Sequence, residues 1–111
     1  MKESLYQARA EVAKALAHAT RLQIIDILAE GGHCVCELTE LLGISQSSVS
    51  KHLGVLKKAG VVDSEKDGLN VNYSLRIPCV SGFFGCIDRV LAADLKRREE
   101  ELKAVRGENH G

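Results

Sequence analysis

CVCELTELLGISQSSVSKH, residues 34–52, is the stretch that decides the fold. A short helix is predicted over residues 35–42, and Gly43 ends it because glycine readily takes the left-handed conformation found at helix C-termini. Ser45 then caps a second helix, since a serine hydroxyl can accept a hydrogen bond from a free amide of the first turn. Two short helices joined by such a turn, here spanning about residues 35–59, are the pattern of a helix-turn-helix.

The second of these helices has one apolar side and one polar side. Val49, Leu53 and Leu56 recur at helical spacing and predict its buried side. A helix that enters the major groove of DNA needs polar side chains near its N-terminus. The alternative is a helix pair that only packs the domain, with the serines left as solvated surface. A histidine can ligate a metal, but His52 lies on the helix that should face DNA, which favours a phosphate or packing role. The predicted DNA contacts are Gln46, Ser47, Ser48, Ser50, Lys51, His52, Lys57 and Lys58.

A hairpin is predicted directly after the helix pair, over about residues 61–77. Apolar or alternating segments flank Asp67-Gly68, a dipeptide favoured in tight turns between strands. A hairpin at this spacing would be the wing of a winged helix-turn-helix. We expect Lys66 and Asn70 to reach DNA from it, and a plain solvent-exposed turn is the alternative.

Helices are predicted on both sides of this region. An amphipathic helix is expected over about residues 3–18, and Thr20 is the predicted N-cap of the next helix, over 21–29. A long helix over about residues 82–105 carries an apolar stripe larger than one small domain needs for its own core. We therefore expect one mainly α-helical domain with a small β-hairpin, covering residues 1–111 and dimerising through its first and last helices. The stripe consists of Phe83, Phe84, Ile87, Leu91, Leu95 and Leu102.

Composition narrows the class of protein. The chain has 111 residues, the length of one ordinary domain, and its 45% of apolar residues is too high for a disordered chain. No apolar run is long enough to span a membrane, and the N-terminus lacks the apolar segment of a signal peptide, so we expect a cytoplasmic protein. The net charge is zero. Lysines clustered in and just after the helix-turn-helix can still serve phosphates locally.

The four cysteines are the second informative feature of the sequence. In a cytosolic chain this number indicates a metal site or a redox sensor and not a disulfide framework. Residues two apart in a regular helix point about 200° away from each other. Cys34 and Cys36 can therefore share one ion only if the helix begins at or after Val35. The alternative is that both are small buried hydrophobes.

Two thiolates do not complete a site, and Cys79 and Cys86 are the available partners. Zinc or cadmium wants four ligands, whereas three sulfurs satisfy trivalent arsenic or antimony. Within one regular helix Cys79 and Cys86 would lie about 10 Å apart along the axis, too far for one small ion. Either one of them joins the pair, or Cys79 precedes the helix and the chain folds back. Burial in the core is the alternative for each.

The cysteine pair and the helix-turn-helix together resemble the ArsR/SmtB family of metal-responsive repressors. The resemblance covers roughly residues 10–100. It implies a homodimeric winged-helix protein that binds a pseudo-palindromic double-stranded DNA operator and is not an enzyme. The Cys-x-Cys pair is the more specific part, because only some branches of the family carry it. The matching segments are CVCEL at 34–38, LGISQSSVSKHL at 42–53, LKKAGVV at 56–62 and VNYSL at 71–75.

Two absences favour the arsenite-repressor branch of that family. Cadmium and lead repressors draw further cysteines from the N-terminal region, and here no cysteine precedes Cys34. The zinc-binding branch uses histidines on the last helix, and here Asp88 is followed by Arg89 and Val90 with no histidine in that predicted helix. The resemblance thus implies release from DNA when trivalent arsenic or antimony binds the cysteines, without an organic cofactor. Cadmium or zinc is the alternative inducer.

A redox signal is a further open alternative. Another branch of the family senses persulfide or oxidant through a cysteine at the Cys34 position and one on the last helix. Cys34 or Cys36 with Cys86 could perform the same chemistry. A thiol reductase is not favoured, because redox pairs prefer Cys-x-x-Cys on a thioredoxin-like pattern that this sequence lacks.

Overall fold

The computed structural model describes residues 2–107, which separate into two compact units, the first ending at Pro78 and the second beginning at Cys79. The second unit is the long helix α5 (Cys79–Arg106). No helix in the described part of the chain is long and apolar enough to cross a membrane. The first unit contains α1 (Lys2–Leu16), α2 (Ala19–Ala29), β1 (His33–Cys34), α3 (Val35–Leu42), α4 (Gln46–Lys58), β2 (Val62–Asp67) and β3 (Asn70–Leu75).

The helix-turn-helix forms as its sequence predicts. Gly43 has φ +68° and its N–H donates to the Thr39 carbonyl at 2.9 Å, which ends α3. The Ser45 hydroxyl accepts a hydrogen bond from the Ser48 N–H at 3.2 Å, which caps α4. A mainly helical winged helix-turn-helix is thereby confirmed.

A single apolar core holds the first unit together. It draws on α1, α2, both helices of the helix-turn-helix and the start of β2, so α4 is fixed from several sides. No polar or charged residue is buried within the described chain. The core residues are Ala15, Ile24, Ile25, Leu28, Leu38, Val49, Leu53, Leu56, Val61 and Val62.

Two helix starts differ from the sequence-based expectation. The helix α1 ends at Leu16 and α2 begins at Ala19, so His18 and not Thr20 is the N-cap. The Thr20 N–H donates to His18 Nδ1 at 3.1 Å, which gives the first turn of α2 the partner it needs. The helix α5 begins at Cys79, three residues earlier than expected. Pro78 directly before it loses no helical hydrogen bond, because the first amides of a helix have no intrahelical acceptor.

The wing belongs to a three-stranded antiparallel sheet in the order β1-β3-β2. The expected hairpin is present, and β1 is an additional strand that pairs His33 with Tyr73 and Cys34 with Asn72. Between β2 and β3, Asp67 pairs with Asn70, which leaves a two-residue turn. Gly68 there has φ +64°, a conformation that favours glycine.

We expect Leu53→Ala to lower the free energy of unfolding by about 2–5 kcal/mol, because it opens a cavity in the core. Leu53 is 0% exposed, whereas Leu41 on the adjacent helix is 60% exposed. Leu41→Ala should therefore change stability by no more than about 0.5 kcal/mol. Urea denaturation at one fixed protein concentration measures both. Equal losses for the two variants would contradict this assignment of the core.

Candidate functional site

The N-terminal half of α4 presents polar side chains to solvent. Gln46 and Ser50 lie four residues apart on one line of the helix, and Ser47 and Lys51 lie on the next. All four are exposed, while Val49 between them is fully buried. The chain thus presents amide, hydroxyl and ammonium groups, which can form hydrogen bonds with base edges and phosphates.

Ser48 differs from its neighbours because it takes part in the helix cap. The Ser45 hydroxyl donates to Ser48 Oγ at 3.0 Å and lies 3.2 Å from Ser47 Oγ. Ser48 is half-buried. Its hydroxyl therefore helps to begin α4, and a DNA contact from it would share the group with the cap.

The C-terminal lysines of α4 occupy two different environments. Lys57 Nζ donates to Ser64 Oγ at 2.6 Å, which connects the helix to β2 of the wing. Lys58 is exposed and lines a cavity beside α1. Lys57, predicted as a DNA contact, thus also links α4 to the wing.

The wing has an acidic side and a basic side. Side chains alternate along a strand, so Asp63, Glu65 and Asp67 share one face of β2 while Ser64 and Lys66 share the other. Because Ser64 contacts Lys57 of α4, the basic face is the one turned toward that helix. Lys66 and Asn70 are both exposed. Lys66 lies on the basic face, whereas Asn70 pairs with Asp67 at the hairpin tip and so lies on the acidic face.

His52 is held by groups that sequence reasoning did not identify. Arg21 Nε donates to His52 Nδ1 at 3.2 Å, and the ring of His18 lies 4.5 Å away between centroids. Burial lowers the pKa of His52, and so do the positive charges of His18, Arg21 and Lys51. A neutral ring with Nδ1 as acceptor is thus favoured, which fits the packing alternative better than a charged phosphate contact. Arg21 is 31 positions away along the chain, and no local pattern announces such a pair.

Cys34 and Cys36 flank the start of α3. Cys34 has an extended backbone (φ −84°, ψ 167°) as N-cap, and α3 begins at Val35. This is the condition under which the two sulfurs can turn to one side. Cys34 is half-buried, Cys36 is exposed and both are free thiols.

Glu37 stabilises this junction. Its Oε1 accepts a hydrogen bond from the Cys34 N–H at 3.1 Å, and its Oε2 lies 3.5 Å from His33 Nδ1. The backbone hydrogen bond from Cys34 is the largest cause that lowers the pKa of Glu37, and the side chains of Cys34 and His33 lower it further. His33 Nδ1 is buried without a hydrogen bond of good geometry, so the carboxylate is its nearest partner.

Cys79 and Cys86 both lie in α5. Cys79 is its first residue, so the possibility that it precedes the helix is excluded. The two lie about 10 Å apart along the helix axis, so both together cannot hold one small ion. Both are exposed free thiols, and Arg89 Nη2 lies 3.2 Å from Cys86 Sγ.

Within residues 2–107 no three cysteine, histidine or carboxylate side chains lie together as a ready metal site. The donors nevertheless suit a soft ion, because thiolates select such ions over hard ones. Two exposed or half-exposed sulfurs lie at this one junction. The predicted ligand set therefore stays a prediction.

Comparison with known proteins identifies the family. Residues 18–64 match the family described as bacterial regulatory proteins of the arsR family. The uncharacterized HTH-type transcriptional regulator Rv0081 of Mycobacterium tuberculosis is 37% identical over 105 residues, covering 94% of this chain and 92% of that protein. This chain belongs to the ArsR family. It is accordingly a DNA-binding transcription regulator and not an enzyme.

Solved structures agree with this assignment to the ArsR family. The crystal structure of Rv0081 matches with a TM-score of 0.72 and 38% identity, over 85% of this chain and 95% of that one. The homodimeric winged helix-turn-helix domain Mb0332 from Mycobacterium bovis matches with a TM-score of 0.75 and 31% identity, over 86% of this chain and 89% of that one.

One sequence relative carries a metal in its name. A probable mercury resistance operon repressor of Streptomyces lividans is 38% identical over 81 residues, covering 73% of this chain and 64% of its own length.

The stability of the protein should fall as the pH decreases below about 6.5, the ordinary pKa of histidine. The folded-state pKa of His52 is lower than its unfolded value, so the folded state binds fewer protons in the interval between them. The contribution of neutral His52 to the free energy of unfolding is complete above the pKa of the unfolded state. It is lost as the pH falls through the lower pKa of the folded state. His52→Gln can keep an acceptor for Arg21 without titrating. Urea denaturation from pH 7.5 to 5 should show a smaller pH dependence for this variant, and identical curves would contradict the assignment.

Proposed function

We propose that this chain is a homodimeric repressor that leaves its operator when trivalent arsenic or antimony binds Cys34, Cys36 and one cysteine of α5. The observation that carries the proposal is the position of the cysteine pair at the first residues of the DNA-binding unit. Cys34 is at once a residue of the sheet that contains the wing and the N-cap of α3. An ion bound to Cys34 would therefore act on both the sheet that contains the wing and the start of α3.

DNA recognition is assigned to α4. Its exposed Gln46 offers an amide that can pair with an adenine edge, and its exposed Lys51 offers an ammonium group for phosphate. The cap at Ser45 and the core contacts of Val49 and Leu53 hold this end of the helix in place. Two copies related by a two-fold axis would read a pseudo-palindromic operator.

Dimerisation is supported by the apolar surface of the last helix. No residue of α5 is buried in the single chain. An uncovered stripe of this size on a helix that is otherwise charged is typical of an interface. Leu5 and Tyr6 of α1 are also exposed, 49% and 61% respectively. The exposed apolar side chains of α5 are Phe83, Val90, Leu91, Leu95, Leu102 and Val105.

The choice of inducer rests on the number of sulfurs. Cys34 and Cys36 supply two, and the spacing along α5 allows only one of Cys79 and Cys86 to join them. Three sulfurs satisfy trivalent arsenic or antimony, whereas tetrahedral zinc or cadmium needs a further ligand. The mercury-related name of the Streptomyces relative supports a soft, thiol-binding inducer for this group of proteins.

The route from ion to DNA runs through the β1–α3 junction. The Glu37 carboxylate holds the Cys34 amide, and β1 pairs Cys34 with Asn72 of the wing strand. Drawing the two sulfurs toward a third one in α5 would strain this pairing or the first turn of α3. Either change alters the angle between the wing and the recognition helix, which DNA binding requires to be fixed.

A redox signal is the second candidate, and one contact favours it. The Cys86 sulfur is exposed and lies 3.2 Å from a guanidinium nitrogen of Arg89. Exposed sulfurs beside a cation are typical of cysteines that react with oxidants. A bridge between Cys34 or Cys36 and Cys86, formed by an oxidant or through a polysulfide, would act on the same junction as the ion.

DNA-binding variants should separate base recognition from phosphate contacts. Lys51→Ala should weaken binding about equally on all sequences and lower the slope of log affinity against log salt by about one. Gln46→Ala should mainly reduce the preference for the operator over unrelated DNA. Fluorescence anisotropy at several salt concentrations measures both effects, with Lys103→Ala on α5 as a matched control for loss of one charge. Unchanged operator preference in a folded Gln46/Ser48 double variant would contradict the assignment of α4.

Cysteine variants should separate DNA binding from induction. Cys34→Ser and Cys36→Ser should bind the operator as the wild type does and should no longer be released by arsenite. Of Cys79→Ser and Cys86→Ser, one should behave in the same way and the other should be released normally.

Titrations with antimonite, cadmium, zinc and polysulfide in parallel identify the inducer. Release of a Cys34/Cys36 double variant by arsenite would contradict the proposed site. Release of the wild type by polysulfide alone, with a Cys34–Cys86 or Cys36–Cys86 bridge detected by mass spectrometry, would favour the redox candidate instead.

A further inference from the structure

A cavity of about 620 Å³ lies between α1, α2 and the C-terminal half of α4. Its volume is in the range of small-molecule sites in proteins, about 300–1,000 Å³. No cysteine lines it, so it is chemically independent of the proposed induction site. The lining residues are Glu11, Lys14, Ala15, Arg21, Val55, Lys58 and Ala59.

The lining combines an apolar surface with an excess of positive charge. Ala15, Val55 and Ala59 supply the apolar part. Lys14, Arg21 and Lys58 supply three cations against the single carboxylate of Glu11. Within residues 2–107 none of these three cations forms an ion pair with a carboxylate. Such a wall suits an anion that carries an apolar group.

Arg21 joins this cavity to the recognition helix. Its Nε donates to His52 Nδ1 at 3.2 Å and its Nη1 donates to the Ala15 carbonyl at 3.4 Å. Neither bond uses Nη2, so the guanidinium keeps further N–H donors beyond these two contacts. Val55 and Lys58 lie on α4 itself. An anion bound here would contact α4 directly and, through Arg21, its His52.

We propose that the cavity binds a small carboxylate with a short apolar chain and that binding changes operator affinity. The carboxylate pairs with Lys14, Arg21 and Lys58, and the apolar chain covers Ala15, Val55 and Ala59. A ligand in this position would be a second effector of the protein, and its binding would not involve the thiols. The double variant Cys34→Ser/Cys36→Ser should therefore bind the carboxylate as the wild type does.

Calorimetric titration of the full chain with octanoate, below the concentration at which it forms micelles, tests the site. Lys14→Gln and Lys58→Gln should each weaken binding about three- to fivefold, since each removes one partly exposed charge contact. Glu11→Gln should strengthen binding up to about twofold, because it removes a like charge. Lys103→Gln, which does not line the cavity, should leave binding unchanged. Octan-1-ol should bind at least about tenfold more weakly, because it cannot form the charge-assisted hydrogen bonds.

Several results would overturn the proposal. Absence of saturable octanoate binding, equal affinity for octan-1-ol, or equal affinities of the Lys14, Lys58 and Lys103 variants would each do so. Inorganic phosphate that binds as tightly as octanoate would show that the apolar wall is irrelevant. If Lys14→Gln weakens operator binding in the absence of octanoate and octanoate leaves operator affinity unchanged, the cations serve DNA phosphates instead. Circular dichroism melting of each variant confirms that it is folded before titration.

Discussion

The short pairing of β1 with β3 is the constraint on which the rest of the structure depends. Two residues, His33 and Cys34, pair with Tyr73 and Asn72 of the wing strand, and α3 begins at the next residue. This pairing joins the wing to the first helix of the DNA-binding unit. It also leaves Cys34 extended and Cys36 in the first turn of α3, which is the arrangement that the proposed ion site requires. The proposed induction site and the DNA-binding unit therefore share one junction.

The recognition helix is held by contacts on several sides. Leu53 and its neighbours bury its apolar side, Lys57 connects it to β2, and Arg21 connects it through His52 to α2. These contacts fix its orientation while the N-terminal polar face stays exposed. A net charge of zero is compatible with DNA binding here, because the carboxylates of β2 lie on the face turned away from α4 and its one lysine, Lys66, on the face turned toward it.

The sequence was sufficient where local signals decide the structure. The glycine at 43 and the serine at 45 set the ends of α3 and α4, and the apolar spacing of α4 identified its buried side. The strand β1 was missed because two residues are too short to show a periodicity. The contact between Arg21 and His52 and the cavity were missed because they join residues far apart in the chain. The third sulfur of the proposed site, expected from Cys79 or Cys86, stays a prediction.

Hydrogen exchange at the β1–α3 junction tests whether arsenite releases DNA by changing this junction. Exchange of the amides of Cys34, Cys36, Glu37 and Asn72 is measured on the DNA-free protein, before and after one equivalent of arsenite per site. We predict a clear change at these four amides, little change at the core amides of α4 such as Leu53, and release of operator at the same arsenite concentration. Release of operator with unchanged exchange at the junction would contradict the proposed route from the ion to DNA.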